Sequence, residues 1–232
     1  MKETILNFLW PKVCPFCEKI YTQGICENCK ETIKELNVKE PYCLQCGKPI
    51  VNANAALCKD CQTSKRYFNE GRALWCHTAV VRKSIYRFKY YNQRDYGLTF
   101  AKEMSKELKQ TIKRWNPQVI IPVPLCQRRR RERGFNQALI LAKQLGETEK
   151  IPVREWVSRI KETSPQKELD KKKRKKNIED AFLFKAPLPL QRVLLIDDIF
   201  TSGSTINEIA KTLKKQGVLE VYFITISIGQ EN

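Results

Sequence analysis

The stretch Val193–Thr205, VLLIDDIFTSGST, places a short apolar run, two adjacent carboxylates and a loop of small hydroxyl residues around one glycine in direct succession. An apolar run such as Val193–Ile196, bounded by turn formers, reads as an interior strand of a sheet covered on both faces. In an open parallel sheet, ligands bind outside the carboxyl ends of the strands, and Asp197 and Asp198 fall at such an end. Thr201, Ser202, Gly203, Ser204 and Thr205 then form a loop whose amides can converge on one concavity. The following helix adds its positive N-terminus, and Gly203 allows close backbone approach, so the loop reads as a phosphate nest. The carboxylates cannot favour phosphate. They can accept hydrogen bonds from vicinal ribose hydroxyls or sit with a metal ion beside a diphosphate. A phosphorylated ribose satisfies both halves of the motif. The magnesium-binding strand of an ATPase also ends in acidic residues, but the chain contains no G-x-x-x-x-G-K-[ST] loop to hold a triphosphate. A strand whose aspartate merely caps the next helix accounts for one Asp and a Gly, not for the whole pattern.

Outward from this stretch, apolar runs alternate with amphipathic segments. Strands are expected at Ala73–Val81, Val119–Val123 and Val221–Ile228, and helices at Tyr96–Trp115, Phe135–Leu145 and Thr205–Gln216. This alternation predicts an α/β fold with a mainly parallel sheet and helices on both faces. The segment Ile160–Asn177 is polar, highly charged and interrupted by Pro165, and reads as a loop rather than core.

The first part of the chain is different in kind. Eight of the ten cysteines precede residue 62, as Cys14/Cys17, Cys26/Cys29, Cys43/Cys46 and Cys58/Cys61. Cys-x-x-Cys turns offer two thiolates to one tetrahedral zinc, and the gaps of eight and eleven residues between half-sites suit two short ribbons in tandem. If neighbours pair, Cys14, Cys17, Cys26 and Cys29 make one site, and Cys43, Cys46, Cys58 and Cys61 the other; spacing alone also permits an interleaved arrangement. Disulfides or an iron cluster are the competing uses of such thiols. The segment has too few apolar residues for a core of its own, so metal would supply the missing stability. The expected division is a double zinc ribbon at 1–65 and an α/β domain at 66–232. No secretory signal is recognised at the start, and no stretch reaches the roughly 20 apolar residues that cross a bilayer. A reducing cytoplasm is the expected setting.

The formal net charge of +18 calls for anionic partners. It is clustered in RRRRER at Arg128–Arg133 and KKKRKK at Lys171–Lys176, beside the phosphate-type motif rather than spread evenly. A solvated, solubilising surface is the alternative reading of such runs. Arg133, Asn136 and Gln137 follow the strand-end proline Pro124, so sheet topology can bring them to the crevice at Asp197 for phosphate or nucleic-acid contacts, with Asn136 capping the next helix. Tyr86, Phe88, Tyr90 and Tyr91 lie among Arg82, Lys83, Arg87, Lys89 and Arg94, a mixture that stacks single-stranded bases while neutralising phosphates. Helical spacing assigns half or more of these aromatics to the core. His77 and Cys126 read as packed residues without a catalytic role.

On these residues VLLIDDIFTSGST resembles the phosphoribosyl-diphosphate (PRPP) signature of type I phosphoribosyltransferases. The resemblance implies that Asp197 and Asp198 address the ribose hydroxyls, that Thr201, Ser202, Gly203, Ser204 and Thr205 hold the 5-phosphate, and that magnesium accompanies the diphosphate. The four Cys-x-x-Cys units, IPVPLCQRRRRERGFNQA at Ile121–Ala138, and the run from Thr163 through Gln166, Leu169, Arg174 and Asn177 to Ala181–Phe182 resemble the ComF family of competence proteins, most of all its ComFC-like members. This similarity spans nearly the whole chain. It implies a zinc-binding head on a phosphoribosyltransferase-like body, handling of incoming single-stranded DNA at the cytoplasmic side of the uptake machinery, and a partner in that system's DNA-translocating ATPase. Gln166 and Arg174 then belong to a hood over the substrate, able to contact phosphate or DNA. An intact motif speaks for donor binding, not for turnover. An active phosphoribosyltransferase with an unidentified acceptor is the alternative function.

Overall fold

A computed structural model describes residues 11–161, 178–187 and 189–230. Its centre is a four-stranded, fully parallel sheet made of β1 (Glu70–Cys76), β2 (Val119–Pro122), β5 (Arg192–Phe200) and β6 (Glu220–Ile228), in the order β1-β6-β5-β2. One face carries helices α3 (Ala79–Tyr90), α4 (Arg94–Trp115) and α6 (Gln137–Glu149); the other carries α7 (Ser204–Lys215) and a short antiparallel hairpin of β3 (Val157–Arg159) and β4 (Phe182–Phe184). The α/β architecture with both faces covered is the one expected from the alternating pattern. The strands are continuous apolar runs because both faces are buried: Val193 and Leu195 pack beneath α7, and Leu194 and Ile196 beneath α4 and α6.

Two boundaries and one element depart from expectation for local reasons. The first strand ends at Cys76, and Ala79–Val81 opens α3 instead of prolonging the strand. The β-branched pair is ambiguous by itself, but Val81, Ser84, Ile85 and Phe88 recur at helical spacing and are the buried face. β5 runs through the acidic pair to Phe200, because Asp197 and Ile199 remain in register with Thr225 and Ser227 of β6. Its pairing with β2 stops at Ile196, so beyond that point β5 has a neighbour on one side only. The β3–β4 hairpin is an element the sequence reading did not assign; three-residue strands carry too little periodicity to announce themselves. Residues 162–177, including the expected contacts Gln166 and Arg174, lie outside the described residues.

The cysteine-rich part grips the β1 edge. The linker between its two halves pairs with β1: Val38 N–H donates to the Leu74 carbonyl (3.1 Å), and Cys76 N–H to that of Leu36 (2.8 Å). The first half, with helix α1 (Glu27–Lys34), packs Cys14, Ile25 and Ile33 into the core beneath α3 and α4. The second, with the short helix α2 (Lys59–Thr63), packs Cys43, Cys46, Ile50, Cys58 and Cys61 into the opposite core beside Phe68 and Phe223. The two halves therefore straddle the sheet, and the apolar residues that neither half possesses come from the α/β core.

Candidate functional site: an anion cleft with an acidic floor

The cysteines separate into two sets, Cys14/Cys17/Cys26/Cys29 and Cys43/Cys46/Cys58/Cys61, whose sulfurs within each set all lie within 4.8 Å of one another. Neighbouring units pair, and the interleaved alternative is excluded. All ten cysteines are free thiols, and the Cys17–Cys26 and Cys46–Cys58 sulfurs are 3.6 Å apart. A tetrahedral zinc about 2.3 Å from each thiolate requires sulfurs roughly 3.8 Å apart, so both sets fit structural zinc without rearrangement. The second set is wholly buried, whereas Cys17 of the first is exposed.

Where β5 outruns β2, a cleft of about 410 Å³ opens. Asp197, Asp198 and Thr201–Thr205 all line it. Gly203 adopts φ of 71° at the N-cap of α7, and an added Cβ would lie 2.3 Å from the Phe200 ring, so only glycine fits there. The Ser202 and Ser204 hydroxyls are 2.9 Å apart. The Ser204 amide donates to the Ser202 hydroxyl at 3.4 Å, so amide and hydroxyl donors gather at the start of α7, where the helix dipole is positive.

Facing the acidic pair are cations from three elements: Arg82 and Lys89 of α3, Arg128, Arg129 and Arg133 of helix α5 (Gln127–Arg133), and Arg159 of β3. Lys89 Nζ lies 2.8 Å from Asp198 Oδ2, with both side chains largely buried. Arg133 donates to the Gln137 side-chain oxygen at 2.8 Å and to the Tyr90 hydroxyl at 3.2 Å. Of the expected contacts, Arg133 thus lines the cleft. Asn136 instead caps α6 through the Ala138 amide and ties it to the Val123 carbonyl (both 3.1 Å), and buried Gln137 orients Arg133. Burial, reinforced by the Asp198 charge, pushes the Asp197 carboxyl up to about 7, and burial also lowers Arg159.

Several residues that line the cleft were not placed there by the sequence reading, although Lys89 and Tyr86 were named as nucleic-acid contacts and His77 as a packed histidine. His77, at the carboxyl end of β1, lines the cleft with Nδ1 2.8 Å from the Ser227 hydroxyl; burial and the nearby Lys89 and Arg82 charges push its pKa below the ordinary imidazole value. All carboxyl ends of a parallel sheet share one rim, and that rule would have placed it. Lys89 and Tyr86 needed the α3 register, which the mistaken strand boundary obscured. Of the four clustered aromatics only Phe88 is core; Tyr86, Tyr90 and Tyr91 are exposed, fewer buried than helical spacing suggested. Arg66 was not singled out at all. Its guanidinium donates to the Ser202 carbonyl (3.1 Å) and to the Asp60 carbonyl (3.4 Å), joining the Thr201–Thr205 loop to the second cysteine set.

Residues 5–62 match the double zinc ribbon domain family. Competence protein F of Haemophilus influenzae is 35% identical over 209 residues, covering 87% of this chain and 89% of that protein. The chain belongs to the competence protein F family. Competence protein ComFC of Bacillus subtilis is 23% identical over 230 residues, 88% of this chain and 90% of that one. Among solved structures, a purine phosphoribosyltransferase from Pyrococcus horikoshii Ot3 is similar with a TM-score of 0.33 and 18% identity, covering 60% of this chain and 74% of that chain.

Proposed function

We propose that this competence F family member is an accessory protein of natural transformation that binds a PRPP-type ligand and handles incoming single-stranded DNA at the cytoplasmic side of the uptake machinery. The observation that carries the ligand reading is the cleft itself, with an acidic pair at a strand end, a glycine-kinked hydroxyl loop at a helix start and six cationic side chains around them. A sugar diphosphate is complementary to each part. Asp197 and Asp198 accept from the ribose hydroxyls, residues 201–205 hold the 5-phosphate, and the arginines face the diphosphate by bidentate pairing. Magnesium bound with the diphosphate would neutralise part of its charge. Support for the DNA reading comes from the basic balance, from the exposed tyrosines among arginines, and from the names of the relatives. The division at 65/66, with the ribbons as docking head for a DNA-translocating ATPase, belongs to the same proposal, as do Gln166 and Arg174 as phosphate or DNA contacts.

The alternative, turnover of the ligand by transfer to an unidentified acceptor, is favoured by the acidic pair in the cleft, which can orient a ribose. Transfer needs only an oriented anomeric carbon and a stabilised leaving diphosphate. Calorimetry with PRPP and magnesium tests the common part: binding is expected in the natural chain and abolished in Asp197→Ala/Asp198→Ala, and an unchanged affinity refutes the site. Diphosphate release across a panel of acceptors then separates enzyme from binding protein. Single-stranded DNA affinity measured against salt tests the second half, because phosphate contacts impose a steep loss with rising salt.

A further inference from the structure

The α3 surface bearing Arg82, Tyr86 and Tyr90 is a single stripe at four-residue spacing, and Tyr91 continues it past the helix end. Tyr86 and Tyr90 have ring centroids 4.7 Å apart, Tyr86 and Tyr91 6.0 Å, and all three are exposed, Tyr91 at 65%. Three solvent-facing rings in mutual contact form a sticky surface patch of the kind that marks an interaction site. This patch is not separate from the cleft. Tyr86 and Tyr90 are part of the cleft wall, and Arg133 lies over the Tyr90 ring at 5.0 Å while also lining the anion site. Around the rings the described charges are Arg82, Lys83, Arg87, Lys89, Arg94, Arg128, Arg129 and Arg133, against Glu132, the floor aspartates and Glu18, which is spent on Arg87. Arg87, Lys89 and Arg128 pair with Glu18, Asp198 and Glu132, and the remaining cations leave the patch in net positive charge. Flat aromatic faces in such a surface match a strand with unpaired bases; a duplex hides the base faces, and an acidic peptide has none.

We propose that the Tyr86–Tyr90–Tyr91 platform is where single-stranded nucleic acid enters the anion cleft, so that the strand and a free diphosphate-type ligand compete for Arg128, Arg129 and Arg133. This rests on the DNA and ligand readings above and adds to them that the two sites overlap. One anion in the cleft neutralises the cations the other needs, and the penalty is reciprocal by linkage. The acidic pair gives the two ligands different footings: it suits a vicinal diol, which deoxyribose lacks, so a DNA strand uses the rim and arginines without the floor.

The test is fluorescence anisotropy of a labelled oligothymidine on the zinc-loaded full chain at low salt. Sodium diphosphate, compared with chloride at matched ionic strength and with its own binding established by calorimetry, is expected to weaken strand affinity about tenfold or more. Tyr91→Ala, at the one ring of the three that stands outside the cleft wall, is expected to cost roughly five- to a hundredfold in strand affinity, with Tyr91→Phe restoring it, and with diphosphate affinity unchanged in both. Melting temperatures of these exposed-site variants should match the natural chain. Strand binding that ignores saturating diphosphate, or an abasic or duplex oligomer that binds as tightly, overturns the shared platform while leaving the DNA reading intact. No strand binding even at low salt overturns both.

Discussion

The two zinc ribbons have the same chemistry and opposite placements. The first sits on the α3–α4 face: the Ser84 hydroxyl donates to the Pro15 carbonyl at 2.7 Å, Glu18 pairs with Arg87, and Phe16 meets Trp75 edge-on at 5.4 Å. The second sits on the α7 face, where Arg66 reaches the Ser202 carbonyl, Asn207 accepts from the Tyr67 amide at 2.7 Å, and Asn207 in turn donates to the Lys65 carbonyl at 3.2 Å. Each ribbon therefore braces a different wall of one cleft: the first braces the helix that carries Lys89 and the tyrosines, the second the phosphate loop. What differs is depth. All four sulfurs of the second set are buried in the sheet core, while the first leaves Cys17 at the surface. Metal should accordingly matter to the whole fold through one ribbon and mainly to a local wall through the other.

The largest effect expected follows from that depth. Structural zinc contributes on the order of 10 kcal/mol or more, comparable to the entire stability of a domain. Cys43→Ser/Cys58→Ser should remove one zinc by metal analysis, abolish cooperative melting and eliminate calorimetric PRPP binding. Cys17→Ser should leave a melting transition within several degrees of the natural chain, with only the first zinc easily removed by chelator. If the two variants lose stability equally, the contrast in depth has no energetic meaning.

Next in size is the acidic floor. Asp197 holds its proton up to about 7 in the folded chain, against an ordinary value of 3.8. Folding therefore retains a proton that the unfolded chain releases, so this group's contribution is full below about 4, is lost as pH rises, and is gone above about 7. Asp197→Asn removes the titration. Its stability relative to the natural chain should climb between pH 4 and 7, by up to about 4 kcal/mol, and stay level above that. Denaturant midpoints at pH 4, 6 and 8 measure this; a flat difference would mean that the floor is better solvated than its position beneath Lys89 and beside Asp198 implies.

These two expectations differ in how visible they were beforehand. The cysteine sets and the β5 motif are contiguous, so spacing reveals them, and the pairing of neighbours needed only the measured sulfur distances to become definite. The cleft walls are assembled from residues far apart in the chain. Arg66 meets Ser202 across 136 positions, a contact no local pattern encodes. Lys89 was visible as one cation among many, but its pairing with Asp198 depends on the exact turn at which β1 gives way to α3, and the run Ala79–Val81 satisfies strand and helix patterns equally. Arg159 rides on a three-residue strand of a hairpin too short to show a period. The fold is legible because sheet and helices repeat; the site is only half legible because one half is a motif and the other is a convergence.

Arg66 offers a finer test of the second brace. Its bonds to the Ser202 and Asp60 carbonyls fix the phosphate loop relative to α2 without touching a ligand. Arg66→Ala should weaken PRPP affinity by about 1.5–3 kcal/mol, roughly ten- to a hundredfold, with zinc content unchanged. Arg66→Lys, which keeps one donor, should recover part of the loss. Loss of affinity matched by an equal loss of global stability would reduce Arg66 to a structural residue.

The smallest effect concerns the first brace. Ser84 is buried, and its hydroxyl meets the Pro15 carbonyl within the Cys14–Cys17 turn. Ser84→Ala leaves that carbonyl without its partner and should cost about 1 kcal/mol, a shift of a few degrees in melting temperature. Ser84 lies one turn before Phe88 and Lys89 on α3, so loosening it should relax the Lys89–Asp198 pair more than the phosphate loop. PRPP affinity should then fall only slightly, while strand binding on the α3 tyrosines falls several-fold. The converse pattern is expected of Arg66→Ala. A double variant whose effects on PRPP affinity add without coupling would establish that the two ribbons act on separate walls, since residues sharing no partner contribute independently. A coupling of 1 kcal/mol or more would mean that the walls move as one body and that the ribbons, despite their opposite faces, work as a single clamp.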